Sequence, residues 1–178
     1  CRIVLAANES FSSLTTQDGL SDNNINAIVQ DHYGFLWIAT EAGLNKYDGK
    51  SITTYSYAKN NIGLADNEIV ALLVDSRNRL WIGTEKGGMV RYDIDTQRFQ
   101  VYRQRVENGR LVLDGKHLSN DTVHALATDN FGNLYIGTEG GGLNVLELAT
   151  GKLSYYFVDS TNEQSLCHNE VKVIFRDK

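Results

Sequence analysis

The chain has 178 residues, 42% hydrophobic and 22% charged, enough apolar material for one substantial core. A net charge of −5 with no basic tract argues against a nucleic-acid partner, and no apolar run is long enough to span a bilayer. Cys1 and Cys167 stand at opposite ends and read as two free thiols rather than a disulfide framework.

Residues 1–10 open with Cys1-Arg2-Ile3-Val4-Leu5-Ala6-Ala7, which fits either the remnant of an export signal or a plain strand. From residue 11 to 178 one pattern recurs. Phe11-Ser12-Ser13-Leu14 occupies the place of a fourth strand with no first three of its own, an orphan outer strand. Three full copies follow, at about 20–57, 64–102 and 118–158. Each begins with an apolar run ending in Asp: Ile25 to Asp31, Ile69 to Asp75, Val123 to Asp129. Three residues on stands Gly34, Asn78 or Gly132, residue types that tolerate positive φ, so each Asp opens a hairpin turn. The second strand is the clearest signature: Leu36-Trp37-Ile38-Ala39-Thr40, Leu80-Trp81-Ile82-Gly83-Thr84 and Leu134-Tyr135-Ile136-Gly137-Thr138. Glycine-marked turns lead to third strands at 45–48, 90–93 and 144–147, and fourth strands at 52–55, 99–102 and 153–156. Finally, residues 166–178 restart the pattern as an orphan inner strand.

The signature returns after 44 and then 54 residues, the length of a four-stranded antiparallel meander. The first two strands are apolar on both faces, so every sheet requires a covering neighbour above and below. The fourth strands are more polar and suit an outer rim. Radial stacking meets these demands, so the fold expected is all-β, built of β-propeller blades. Asp31, Trp37 and Thr40, with Asp75, Trp81, Thr84, Asp129, Tyr135 and Thr138, are its structural repeat positions.

Leu20 to Gly49, with its Leu-Ser-Asp-Asn lead-in and Gly-Phe-Leu-Trp-Ile-Ala-Thr-Glu core, resembles the two-component regulator propeller repeat. The resemblance extends from about Phe11 to the end of the chain. It implies the extracytoplasmic sensor region of a hybrid two-component system, periplasmic and belonging to a membrane-anchored protein. The implied ligand is an oligosaccharide or other small molecule, a glycan breakdown product whose binding is signalled to a histidine kinase. Three departures stand out: Asn78-Arg79 in the second hairpin turn, Tyr135 in place of Trp, and a longer connection over residues 103–117.

No catalytic set is visible. Gly137-Thr138-Glu139-Gly140-Gly141-Gly142 lacks the Lys-Ser/Thr ending and the following helix of a phosphate loop. Glu41, Glu85 and Glu139 recur in every copy, which reads as a feature of the repeat rather than a divergent acid–base pair. His32, His117, His124 and His168 show no metal-ligand spacing, so neither a metal nor a cofactor is expected. Recognition is expected on the face carrying the second-to-third turns and the inter-blade connections. That face would collect Glu85, Lys86, Arg103, Arg105, Arg110 and His117 as ligand-binding candidates. Unpaired strand edges predict self-association. A propeller lyase or glycosidase, and a protein-interaction scaffold, are the competing readings.

Overall fold

The computed structural model describes residues 13–57 and 63–177. The candidate export-signal remnant, Cys1, Phe11 and Ser12 lie outside the described residues. Three separate four-stranded antiparallel sheets follow one another along the chain, each in simple sequential order. Blade one is β1 (Ile25–Gln30), β2 (Leu36–Thr40), β3 (Gly43–Tyr47) and β4 (Ile52–Tyr55). Blade two is β5 (Ile69–Val74), β6 (Arg79–Thr84), β7 (Met89–Asp93) and β8 (Arg98–Tyr102). A two-stranded hairpin, β9 (Val106–Glu107) and β10 (Arg110–Leu111), fills the long connection. Blade three is β11 (Val123–Thr128), β12 (Asn133–Thr138), β13 (Leu143–Glu147) and β14 (Leu153–Tyr156). The chain folds as propeller blades.

The repeated Asp closes each first hairpin. Asp75 accepts from the backbone N–H of Arg77 and Arg79, from the Arg79 guanidinium at 2.7 Å, and from the Trp81 indole at 2.8 Å. Asp31 holds Trp37 in the same way, again at 2.8 Å. In blade three the Tyr135 hydroxyl takes the indole's part and donates to Asp129 at 3.1 Å, so this departure preserves the bond. Asn78, with φ 55°, adopts the left-handed conformation that Gly34 and Gly132 supply elsewhere. Thr40, Thr84 and Thr138 each donate a hydroxyl to the carbonyl of Gly43, Gly88 or Gly142, pinning the second turn.

Two of these carboxylates, Asp75 and Asp129, make the fold acid-sensitive. Burial opposes the charged form of Asp129, but bonds from Asn133, Phe131 and Tyr135 outweigh it and bring its pKa to about 2. Asp75 is also lowered: burial again opposes the charge, and Arg79 and Trp81 overcome it. A depressed folded-state pKa contributes stability that is complete above the unfolded value, ~3.9, and disappears as pH falls through the folded value. Thermal melts should therefore show loss of stability beginning near pH 4 and continuing toward pH 2, with a shallower fall in Asp129→Asn. A flat profile across that window would contradict the assignment.

The core lies between blades rather than within them. Trp37, Leu44, Ile69, Leu80, Ile82 and Tyr92 pack at the first interface, where Trp37 meets Tyr92 edge-on at 5.5 Å. Trp81, Met89, Val123, Leu134, Ile136 and Leu153 pack at the second. At the second interface the backbones approach closely: a Cβ on Gly83 would sit 2.7 Å from the Val123 carbonyl oxygen. Gly137 stands in the same relation to Val171, so residues after 170 occupy the place of a next blade's first strand.

The expected outer strand at 11–14 lies partly outside the described residues; Ser13 and Leu14 themselves carry no strand assignment, and a 3-10 turn over Thr16–Asp18 with a capping box at Thr15 follows them. Thr15 donates its N–H and its hydroxyl to the Asp18 carboxylate, which closes this turn. Residues 171–177 form no strand ladder among the described residues. Val171 instead donates its N–H to Thr138, and Arg176 reaches Thr128 and Asn130. Coverage on both faces holds for β5 but not for the outer flanks: Ile28 is 57% exposed and Phe175 is 88% exposed.

Candidate functional site

The second-to-third turns and the inter-blade connections do share one end of the stack. Glu85 donates its N–H to Glu68, Lys86 donates its N–H to the Asp66 carboxylate, and Thr122 donates its hydroxyl to Glu85. Glu139 repeats the first contact with Thr122. Glu85 and Glu139 thus serve the scaffold through their backbone. In blade one it is the Glu41 side chain that takes part, accepting from Asn24. Gly140-Gly141-Gly142 is the tight β12–β13 turn, with Gly141 pressed against Ser119; no helix follows it.

An unforeseen lead-in device orders this end. Asn23, Asn67, Asp121 and Asn169 each accept a backbone N–H, from Thr16, Tyr57, Gln104 and Val158 respectively. One Asx residue per repeat therefore fastens each connection to the blade it introduces. In blades one and three a serine–asparagine pair, Ser21–Asn45 and Ser119–Asn144, adds a second buried fastening. Blade two replaces both members at once, with Ala65 and Val90, so no polar group is stranded.

The ligand-binding candidates separate on inspection. Arg103 donates to the carbonyls of Gly87 and Ala65, both at 3.0 Å, so its guanidinium staples the connection to the β6–β7 turn. Arg105 pairs with Glu107 inside the hairpin. His117 faces Asp114, whose carboxyl the contact holds below the usual range, and its carbonyl accepts from Tyr155. Gly115 bonds to Leu153 and to the Tyr155 hydroxyl. The hairpin therefore rises from the outer rim beside β14, and neither Arg105 nor Arg110 bonds to Glu85 or Lys86. Exposed Lys86 and partly buried Glu85 remain at the turn end.

The opposite end carries the Asp hairpins and a recess of about 460 Å³ lined by Arg77, Arg79, Asp129 and Arg176. Two of those cations are already engaged, Arg79 by Asp75 and Arg176 by Asn130. A recess of the same volume lies on the open flank of blade three, bounded by Tyr135, Val145, Lys152 and Tyr156. It is the counterpart of the two filled interfaces. A third feature was invisible in the sequence: His124, Glu139 and Glu170 bring their donor atoms within 4.8 Å of one another.

The lead-in, hairpin and tryptophan strand of each copy match a known repeat over residues 19–42, 63–86 and 117–140, described as the two component regulator propeller. The chain carries three copies of the two-component regulator propeller repeat. It is 28% identical to the extracellular domain of BT3049 of B. thetaiotaomicron, described as a hybrid two component system, with a TM-score of 0.75. That match covers 89% of this chain and 21% of the other. The extracellular domain of BT4673 from the same organism gives 26% identity and a TM-score of 0.74, over 94% of this chain and 21% of that one. A histidine kinase of Formosa agariphila is 45% identical over 49 residues, 28% of this chain and 4% of its own length. The chain thus spans about a fifth of the solved domains it matches. Among the described residues, no helix is long and apolar enough to cross a membrane.

Proposed function

We propose that this chain is part of an extracytoplasmic, periplasmic sensing module that binds a soluble glycan breakdown product and signals to a histidine kinase. The observation carrying this reading is the match to extracellular domains of two-component systems over nearly the whole chain, at 28% and 26% identity. The module works by binding without bond cleavage. The turn end is the recognition face, because it gathers loops from successive blades on a rigid stack. Glu85 and Lys86 present opposite charges there, suited to hydroxyl-rich or acidic sugars. Arg105 and Arg110 offer a second contact from the rim, and the open blade flanks favour self-association.

Thermal-shift titration of the complete extracytoplasmic region with oligosaccharide fractions tests this reading. A binding fraction should raise the melting temperature saturably. Lys86→Glu should weaken that binding by about tenfold, equivalent to ~1.4 kcal/mol, while Arg77→Glu at the opposite end leaves it unchanged. Equal losses at both positions would remove the turn end from the account.

A further inference from the structure

Each blade carries one β-bulge at the same place, between Ile25 and Ala27, Ile69 and Ala71, and Val123 and Ala125. The extra residues are Asn26, Val70 and His124. A bulge re-aims the side chain of its extra residue. The Asn26 amide shows where such a side chain goes: it crosses to the next blade and donates to the Ile69 carbonyl at 2.8 Å. His124 at the same position meets Glu139 from the β12–β13 turn and Glu170 from the segment that follows blade three.

We propose that His124, Glu139 and Glu170 form a binding site for a divalent transition cation of the zinc class, which staples residues 166–177 to blade three. Three elements converge on it, and their donor atoms lie within 4.8 Å of one another. A tetrahedral ion with bonds of ~2.1 Å holds its ligand atoms about 3.4 Å apart, so modest side-chain rotation completes the geometry. Glu139 can supply that rotation: it is exposed, and its structural duty rests on its backbone N–H. Glu170 pairs with Lys172 at 3.0 Å through one oxygen, and the bound cation would replace that ammonium. One imidazole with two carboxylates suits zinc, whereas calcium prefers six or more oxygens. The other junctions lack the set: Asn26 stands there in blade one and Val70 in blade two.

The staple has a mechanical purpose. Residues 166–177 make no strand ladder, and backbone bonds such as Gly142 to Asn169 and Val171 to Thr138 hold them to blade three. A cation shared by both sides would close the seam. This inference is independent of the glycan-binding reading.

Titration of the chain with zinc chloride against a chromophoric chelator is the test, with hydrogen exchange followed over residues 166–177. One zinc per chain should bind and slow exchange in that segment. His124→Asn, which installs the residue of blade one, and Glu139→Gln, at an exposed position, should each weaken binding roughly tenfold or more. Cys167→Ser should leave it intact. Absence of zinc binding, binding that survives both substitutions, or binding lost only in Cys167→Ser would overturn the proposal.

Discussion

Trp81→Ala should destabilise the protein by ~3–5 kcal/mol, the range for removing a large buried aromatic side chain. Trp81 is fully buried between blades two and three, so its loss opens a cavity in an interface rather than on a surface. Its ring lies 5.9 Å from Tyr102 and beneath the Arg79 guanidinium at 5.4 Å, and its N–H is held by Asp75. Truncation thus removes packing, a cation–π contact and a buried hydrogen bond together. Tyr135→Ala should cost less, because Tyr135 borders the open recess of blade three. Equilibrium unfolding in denaturant measures both. A Trp81→Ala protein within about 0.5 kcal/mol of the parent, as for a surface change, would contradict the stacking of blades two and three.

Asp75→Ala is expected to be comparably severe, at ~3–5 kcal/mol, the cost of leaving one partner of a buried ion pair behind. Asp75 is 3% exposed and receives two backbone donors, a guanidinium and an indole. Alanine leaves all of them unpaired at a turn that also positions Trp81. Asp129→Ala removes an analogous set from a more exposed turn, where water can replace the lost acceptor, and should cost less. Chemical denaturation of the two variants side by side distinguishes them. Equal costs would mean that burial of the Asp hairpin does not set its contribution.

The strands and turns were readable because local chemistry decides them. Asp, a positive-φ residue three positions later and an aromatic strand determine a hairpin wherever they occur, and Asn78 and Tyr135 substitute without loss because each preserves the required conformation or bond. What escaped was produced by neighbouring segments. Arg103 read as a free cation in a loop, yet it donates to two carbonyls, one of them 38 residues away. The hairpin at 106–111 read as part of a ligand face, but Gly115 and Tyr155 draw its base to the outer rim. His124, Glu139 and Glu170 are 15 and 31 residues apart, a spacing no motif records. Only a bulge and an inter-blade junction bring them together. Residues 171–177 carry strand-like periodicity yet form no ladder among the described residues, because pairing rather than periodicity makes a strand.

As a proposed sensor, this propeller region would bind its ligand without transforming it. The most direct test is phosphoryl incorporation by the complete protein in membranes, with and without oligosaccharides that bind its extracytoplasmic region, followed by mass analysis of the recovered sugar. A saturable change in phosphorylation is expected, with the ligand recovered intact. Cleaved ligand with phosphorylation unchanged would contradict this reading.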